Sequence, residues 1–401
     1  MTQEVMMDLS QLKAEVWRRI DDIADDLWDI ALKIHDNPEL GFQEHKAVAW
    51  LTEALEKGGF RVERGVGGME TAFLAVHPAV AEGPAVAFLA EYDALPELGH
   101  ACGHNIIATI ALGAGLGLSP FKETLPGKLM VIGTPAEEGG GGKIKLIEAG
   151  VFSDVDVAMM VHPADRTLVE RGSLSITEVR IEFHGKAAHA SSVPEEGINA
   201  LDAVIQTFVA LNALRQHIRD GARIHGIITH GGTKPNIVPE YAAALFYVRD
   251  IDDDYKEELV EKLRKCAEGA ALATGAKLTF SRVGPGYRAM RPNHHLAQCF
   301  RRYIEELGYT IEPPKGGMGS TDMGDVSQVV PAIHPYIKIA PTGTPGHSHA
   351  FAEAARSEEA RKGMLAAAKA LAAVALELWL IPGFYEEVRR EFEETVLKSS
   401  E

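Results

Sequence analysis

Residues 85–118 read AVAFLAEYDALPELGHACGHNIIATIALGAGLGL. The stretch opens with an uninterrupted apolar run, which predicts a buried strand over 85–90. Residues 106–118 are apolar and contain several glycines, and we interpret them as a helix. The polar loop between the two segments places Cys102 between His100 and His104. A buried strand, a polar loop and a helix in this order indicate an α/β fold.

The same alternation continues on both sides of this stretch. Helical patterns precede it over 9–34 and 44–57, and apolar strands follow it over 128–133 and 155–161, with a helix over 143–150 between them. Strands that are apolar throughout and separated by helices are typical of a sheet covered on both faces. We therefore expect an α/β domain with a mostly parallel mixed sheet.

The pattern changes at residue 175. Residues 175–185 alternate apolar and polar side chains, as expected for a strand with one exposed face. A helix, two strands, a second helix and a last strand complete the β-α-β-β-α-β order of a ferredoxin-like unit. We expect this α+β unit, residues 175–285, to be inserted into a larger domain that comprises 1–174 and 286–401.

The composition is that of an acidic globular protein. Hydrophobic residues make up 46% and charged residues 24%, and the formal net charge is -17. This charge argues against nucleic-acid and anionic-membrane partners, because no basic surplus is available to meet phosphates. The three cysteines, Cys102, Cys266 and Cys299, are odd in number and widely spaced, so a secreted disulfide framework is not expected.

Two further segments bear on cellular location. The N-terminal segment is charged and has a helical period, without the apolar centre of a signal peptide. Residues 365–381 are apolar, but the stretch is short for a membrane span and carries Lys369 and Glu377. We predict a buried helix there and a cytoplasmic protein.

Residues able to bind metal follow four predicted strands at the points where the strands end. The segments are EYDALPELGHACGHN from residue 91, TPAEEGGGG from 134, HP from 162 and PTGTPGHSHAF from 341. In open α/β sheets the ligand crevice lies outside the carboxyl ends of the strands. We expect these residues, although distant in sequence, to lie close together.

The residue types in these segments favour a catalytic metal site. Imidazole and carboxylate suit zinc, manganese or cobalt, and a thiolate can bridge two ions. Ligands spread over four loops favour a site with an open position over a closed structural one. Adjacent Glu137 and Glu138 suggest that one binds metal while the other takes a proton from water.

Each motif alone has a simpler explanation. Cys102 could be a nucleophile, a redox thiol or a small buried residue, and His162 could be a core histidine. The acid pair could be a solvated loop, and the glycine run at 139–142 lacks the Lys-Ser/Thr of a phosphate-binding loop. Only the joint occurrence at four strand ends favours metal binding.

Several blocks of the sequence resemble a known family. They are YDALPELGHACGHN, TPAEEGGGGK, VHP, GKAAHASSVPEEGINALDAV, GGTKPNIVPE and GSTDMGDVS. The chain resembles, over nearly its whole length, the amidohydrolase branch of the aminoacylase/carboxypeptidase-G-like metallopeptidase superfamily. That branch holds auxin-conjugate hydrolases, p-aminobenzoyl-glutamate hydrolases and Xaa-Arg (β-alanyl-lysine) dipeptidases. The resemblance implies a zinc-peptidase-like catalytic domain with an inserted lid or dimerisation domain.

The resemblance also implies a ligand set for two divalent ions, zinc, manganese or cobalt. Cys102 matches the bridging ligand, and the other matching ligands are His104, Glu138, His162 and His347. His349 is the alternative to His347. Glu137 matches the general base, and Asp93 matches the acid that orients a ligand. The branch commonly has Asp where Asn105 stands, which we interpret as a subgroup feature.

Three residues of the inserted domain match substrate-binding positions. His189 matches a lid histidine that stabilises the oxyanion, in some relatives across a dimer interface. Asn236 and Arg249 match residues that contact substrate, and a guanidinium suits a free α-carboxylate. A turn role for Asn236 and an ion pair of Arg249 with Asp250 are the simpler explanations.

Together these expectations predict one function and leave three alternatives open. We expect a dinuclear metal-dependent amide hydrolase that releases an amino acid with a free carboxylate from small dipeptides, including β-alanyl and Xaa-basic types. The main alternative is an N-acyl or p-aminobenzoyl amino-acid hydrolase. A cysteine hydrolase using Cys102 and a catalytically silent binding protein remain as alternatives of other classes. We also expect a homodimer formed through the small domain.

Overall fold

The computed structural model describes residues 8–77, 79–313 and 317–397. The N-terminal residues 1–7, part of the segment considered for a signal peptide, lie outside the described residues. The chain divides into two compact units. The larger unit comprises Met1–Gly172, Met290–Met318 and Asp325–Glu401, and the smaller unit comprises Ser173–Ala289 and Gly319–Gly324.

Helices and strands alternate along most of the chain. The helices are α1 (Leu9–Asp22), α2 (Ala24–Asp36), α3 (His45–Lys57), α4 (His104–Leu118), α5 (Gly142–Glu148), α6 (Ala200–Leu214), α7 (Asp253–Thr274), α8 (His294–Glu306), α9 (Met323–Val326), α10 (His349–Ala354), α11 (Glu358–Leu380) and α12 (Phe384–Leu397). The strands are β1 (Arg61–Arg64), β2 (Phe73–His77), β3 (Val86–Ala90), β4 (Leu129–Gly133), β5 (Val157–Met159), β6 (His162–Ala164), β7 (Ser175–His184), β8 (Arg223–His230), β9 (Tyr241–Asp250), β10 (Lys277–Tyr287), β11 (Ala332–Ile333) and β12 (Tyr336–Lys338).

A mixed sheet forms the centre of the larger unit. Its strand order is β1-β2-β4-β3-β5-β11. The pairs β4–β3, β3–β5 and β5–β11 are parallel, whereas β1–β2 and β2–β4 are antiparallel. Strands β12 and β6 form a separate parallel pair. The expected mostly parallel mixed sheet is confirmed, and its parallel strands bring several carboxyl ends to one edge.

The helices that cover this sheet are themselves apolar. Nearly every residue of α4 is buried, and α11 is buried along most of its length. His104–Thr124 and Glu358–Leu380 are long and apolar enough to cross a membrane, but 78% and 83% of their most apolar windows lie inside the protein. A strongly apolar helix packed on all sides is the expected core of a large α/β unit. The prediction of a buried helix over 365–381 is confirmed.

The smaller unit is a ferredoxin-like α+β fold, as predicted. Its elements follow the order β7-α6-β8-β9-α7-β10, and its antiparallel sheet has the order β10-β7-β9-β8. Helices α6 and α7 pack on one face, where Val179, Phe183 and Phe246 are fully buried. Asn199 and Asp252 cap these helices by accepting hydrogen bonds from backbone N–H groups of the first turn.

Two features differ from the expectations. The pattern over 9–34 forms two helices, because the backbone leaves helical geometry at Ile23 (φ -104°, ψ 11°). Strands β1, β2, β6 and β11 were not predicted. Strand β1 is short and mostly exposed, so it lacks the apolar run that marks a buried strand.

Candidate metal centre

The loop after β3 carries the first candidate ligands. It ends at Gly103, which caps α4 with a left-handed backbone (φ 80°). A Cβ at this position would lie 2.5 Å from Pro163 Cγ, so the close approach of β6 requires glycine. The turn places Cys102 and His104 on either side of the glycine, next to the strand that carries His162.

Asp93 holds His104 in a defined orientation. Its Oδ1 lies 3.0 Å from His104 Nδ1, and its Oδ2 accepts a hydrogen bond from the Glu138 backbone N–H at 3.0 Å. The Asp93 and His104 side chains are both buried. A carboxylate at Nδ1 leaves Nε2 as the nitrogen that faces the cluster. His104 Nε2 is buried and has no hydrogen-bond partner among the described residues.

Cys102 and His162 meet directly. Cys102 Sγ lies 3.3 Å from His162 Nε2, and His162 Nδ1 lies 2.7 Å from the Pro163 carbonyl oxygen. A carbonyl can only accept, so His162 Nδ1 carries a hydrogen and Nε2 is the nitrogen that faces the thiol. Nε2 is thus the ring nitrogen available to a metal ion.

The acid pair lies on a tight turn after β4. Ala136 has a left-handed backbone (φ 56°), and the Gly140 N–H donates to the Ala136 carbonyl at 3.1 Å. A Cβ at Gly142 would lie 1.8 Å from the Pro135 carbonyl oxygen. The glycine run therefore allows the chain to double back at this turn, which presents Glu137 and Glu138 side by side.

His347, and not His349, lies beside the other candidates. His347 Nε2 is 3.2 Å from Glu138 Oε1, and the His347 N–H donates to the Ala101 carbonyl at 3.0 Å. Its backbone is left-handed (φ 54°), an uncommon conformation for a non-glycine residue. His349 is the first residue of α10 and belongs to none of the donor groups found among the described residues.

Three groups of potential metal donors share members. Within each group the donor atoms lie within 4.8 Å of one another, and the groups are Cys102 with His104 and His162, Cys102 with Glu138 and His347, and His104 with Glu137 and Glu138. Cys102, His104 and Glu138 each belong to two of the three groups, and Cys102 is the thiol among these three residues. A thiolate common to two donor groups is the arrangement that a bridged pair of ions requires.

The electrostatics of the cluster favour an ionised thiol. Burial raises the pKa of Cys102, but the neighbouring imidazoles of His104 and His162 outweigh burial and bring its pKa down to about 6. Hydrogen bonds to Cys102 and Glu138 raise the pKa of His347 to about 10. Burial raises the pKa of Asp93, but the His104 charge and hydrogen bond lower it by more.

The residues present fit divalent metal ions. Thiolate, imidazole and carboxylate donors converge, and the buried His104 Nε2 has no hydrogen-bond partner among the described residues. An orphaned buried nitrogen is costly unless an ion or water satisfies it. The donor set suits zinc, manganese or cobalt.

His100 and Asn105 lie in the same loop and helix but face elsewhere. His100 is buried with its ring 6.1 Å from that of His35, and it is in none of the donor groups. Asn105 Nδ2 donates to the carbonyls of Ala31 at 3.3 Å and Ala355 at 3.1 Å. The His100 side chain is therefore enclosed by protein, and the two hydrogen bonds of Asn105 connect α4 to neighbouring segments.

In the smaller unit, His189 and Asn236 lie on adjacent loops. The Ala190 N–H donates to the Asn236 carbonyl at 3.1 Å, and His189 forms a bridge with Ile237. The side chains of Asn236 and His189 are both exposed. His189 Nδ1 lies 3.2 Å from Ser191 Oγ, which leaves Nε2 as the nitrogen that could meet a ligand.

Arg249 is half-buried without a carboxylate partner among the described residues. Its Nη1 donates to Ser320 Oγ at 3.3 Å, and its Nε is buried without a hydrogen bond. Asp250, the suggested partner, instead accepts a hydrogen bond from the Asp252 N–H at 2.9 Å. Burial lowers the pKa of Arg249.

Two buried charged residues near the cluster were not identified from sequence. Glu91 follows β3 directly, and Lys143 lies in α5 just after the glycine run. They form an ion pair that is almost completely buried. Position after a buried strand was the available signal for Glu91, whereas nothing local marks Lys143 as buried.

The fold and the site define a metal-dependent hydrolase of the α/β class. Residues 87–376 match peptidase family M20/M25/M40, and the chain belongs to this family. The chain is 40% identical to the Xaa-Arg dipeptidase of Mus musculus, covering 96% of this chain and 93% of that protein. Family membership confirms the resemblance seen in the sequence and shows that the protein is a hydrolytic enzyme.

Two further relatives support the same family. A p-aminobenzoyl-glutamate hydrolase component of Escherichia coli is 31% identical, covering 95% of each chain. A solved structure from Bacillus subtilis, described as a dinuclear metal-binding peptidase of the M20 family, matches with a TM-score of 0.70 at 22% identity. It covers 89% of this chain and 99% of that chain, and this likeness shows the shared fold.

Proposed function

We propose that the protein is a dinuclear metal-dependent dipeptidase, and the sharing of Cys102 between two donor groups carries this proposal. In this assignment His104 and His162 would hold one ion, Glu138 and His347 would hold the other, and the Cys102 thiolate would contribute to both. When bound, two divalent ions supply Lewis-acid polarisation of an amide carbonyl and increase the acidity of water. We assign zinc, manganese or cobalt to the site, since all three accept these donors.

The residues of the chain supply the proton transfers and the orientation. Glu137 lies at the cluster, with Oε2 4.0 Å from His104 Nε2, and we assign it as the general base. It takes a proton from the attacking water and returns it to the leaving amine. Asp93 keeps His104 oriented, and we assign His189 to the developing oxyanion.

We propose dipeptides with a free carboxylate, including Xaa-basic and β-alanyl types, as substrates. The relative with 40% identity is an Xaa-Arg dipeptidase, and the half-buried guanidinium of Arg249 has no carboxylate partner among the described residues. A fork-shaped guanidinium suits a planar carboxylate, and we assign Asn236 a second substrate contact. We also propose a cytoplasmic location.

An N-acyl or p-aminobenzoyl amino-acid substrate is the second candidate. The 31% identity to the p-aminobenzoyl-glutamate hydrolase component favours it. Both substrate classes release an amino acid with a free carboxylate. They differ only in the acyl group on the other side of the cleaved amide bond.

One assay separates these two substrate classes and tests whether hydrolysis depends on metal. Metal-depleted protein is supplied with Zn²⁺, Mn²⁺ or Co²⁺ and assayed on Xaa-Arg, Xaa-Lys and β-alanyl dipeptides beside N-acetyl and p-aminobenzoyl amino acids. We expect metal-dependent release of the C-terminal amino acid, fastest from dipeptides. Full activity after exhaustive chelation would reject the metal mechanism and favour a Cys102 nucleophile. Absence of turnover on the whole panel with metal bound would favour a binding protein.

We further propose a homodimer formed through the smaller unit, which we assign as the lid or dimerisation domain over 175–285. Strand β8 is at the edge of its sheet. Ile227 on this strand is 65% exposed, and Val209 on α6 is 62% exposed. An apolar edge strand is a ready template for pairing with a second chain. Light scattering on the native protein and on Ile227→Lys tests this: we expect a dimer that becomes a monomer in the variant.

A further inference from the structure

Glu91 is a buried carboxylate with one oxygen engaged and the other without a hydrogen bond. Its Oε1 accepts a hydrogen bond from the Lys143 ammonium, and both side chains are almost completely buried. Its Oε2 is buried and has no hydrogen-bond partner among the described residues. A carboxylate oxygen in such a place is costly unless a cation or donor faces it.

The unengaged oxygen faces the cluster. Glu91 Oε2 lies 3.5 Å from His104 Nε2. Asp93 contacts the other ring nitrogen, Nδ1, and Nε2 has no hydrogen-bond partner among the described residues. Two buried atoms that can bind a metal ion therefore face the same small space. A cation between them or beside them would stabilise this arrangement.

Lys143 fixes which way the carboxylate points. The ammonium occupies Oε1, so Oε2 is the oxygen left for the site. Lys143 also lies in α5, directly after the turn that carries Glu137 and Glu138. A single buried lysine thus connects the end of β3 to the loop of the acid pair, as expected for groups that orient metal ligands.

We propose that Glu91, held by Lys143, is a positioning residue that presents a negatively charged oxygen to the ion bound by His104, directly or through one water molecule. This inference rests on the proposed metal centre. It adds a carboxylate to the His104 side of the centre, beyond the five assigned ligands. The consequence is that the ion at His104 depends on the Glu91 charge, while the ion at Glu138 and His347 does not.

The double variant Glu91→Gln, Lys143→Met tests the proposal, because it removes both charges together and keeps the shapes of both side chains. Zinc affinity is measured by chelator competition, and zinc content is measured by mass spectrometry after gel filtration. We expect the native protein to bind two zinc ions. We expect the double variant to bind one zinc ion with the native affinity and to bind the other at least about tenfold more weakly.

A matched control is Glu377→Gln. Glu377 is also a buried carboxylate that accepts a hydrogen bond from a cationic side chain, Arg302 at 2.7 Å, and it is in none of the donor groups. We expect this variant to bind both zinc ions as the native protein does. Unchanged zinc affinities in the Glu91 and Lys143 double variant would overturn the inference and leave the pair as a purely structural ion pair.

A structure of the zinc-loaded native protein decides the question if the double variant does not fold. Glu91 Oε2 in contact with the ion at His104, or joined to it by one water, supports the inference. Glu91 Oε2 turned to protein donors overturns it. A native protein that binds no zinc, manganese or cobalt would instead overturn the proposed metal centre itself, so the two failures are distinct.

Discussion

Asp93 Oδ1 lies 3.0 Å from His104 Nδ1, and this contact determines which nitrogen of His104 faces the other candidate metal ligands. The other oxygen of Asp93 accepts a hydrogen bond from the Glu138 backbone N–H. One buried carboxylate therefore positions candidate ligands from two different loops. Because the positioning depends on charge as well as shape, it can be tested by removing the charge alone.

The Asp93→Asn variant is predicted to weaken metal binding. The amide preserves the side-chain shape but holds His104 less firmly and makes its ring less basic. We expect zinc affinity to fall by about 10- to 100-fold. Competition titration with a chromophoric chelator measures this change. An affinity equal to that of the native protein would show that Asp93 does not act through His104.

The Glu137→Gln variant is predicted to lose catalysis while retaining metal. Glutamine cannot accept the proton from water, and loss of a general base costs about 10²- to 10⁴-fold in rate. We expect kcat to fall within this range and zinc content to stay unchanged. A rate close to that of the native protein would mean that another residue acts as the base.

Arg249→Met is predicted to impair recognition of the substrate carboxylate. Among the described residues no carboxylate pairs with the Arg249 guanidinium, so its removal leaves no buried acid unpaired and the fold should tolerate the change. We expect kcat/KM on a dipeptide to fall by about 10- to 100-fold, since hydrogen bonds to charged groups contribute about 1.5–3 kcal/mol. A dipeptide amide, which lacks the carboxylate, serves as the control substrate. An equal loss on both substrates would contradict the assignment.

Metal affinity is predicted to rise with pH. In the metal-free protein His347 has a pKa of about 10, so its ring holds a proton at neutral pH. A metal ion must displace this proton, and affinity therefore increases up to about tenfold per pH unit for each proton released. Below pH 6 the Cys102 thiol, with a pKa of about 6, adds a further proton. Calorimetry in two buffers of different ionisation enthalpy counts the protons.

His347→Ala is the control for this pH dependence. The variant should bind only one ion tightly and should show a shallower rise of affinity between pH 7 and pH 9. Affinities that do not change with pH in the native protein would reject proton displacement from His347.

His100 is predicted to make the metal-free protein sensitive to acid. Burial lowers its pKa to about 3, below the usual value near 6.5. The unfolded chain therefore binds one more proton below about pH 6, so the free energy of unfolding falls as pH falls, by about 1.4 kcal/mol per pH unit between pH 6 and pH 4. Urea unfolding with a chelator present measures the slope.

A His100→Leu variant should lose that part of the slope, because it removes the titrating group and keeps an apolar side chain in the buried position. An identical slope in the variant and the native protein would show that His100 titrates normally.

Much of the architecture could be predicted from the sequence. The apolar runs 85–90 and 128–133 correspond closely to β3 and β4, and the predicted second helix of the inserted unit corresponds to α7. Local patterns suffice here because buried strands and amphipathic helices have distinct hydrophobic periods. Strand β1 was missed because an exposed edge strand carries no such period.

The sequence by itself determined the residue types of the site and their positions after strands, and hence the metallopeptidase class and the family. Only the tertiary structure decided which residues meet. His347 and His349 are two residues apart, yet the hydrogen bond of His347 to the Ala101 carbonyl and its left-handed backbone bring it to Glu138. Glu91 and Lys143 are ordinary charged residues in the sequence. Their burial as a pair depends on contacts between distant segments, which no local pattern records.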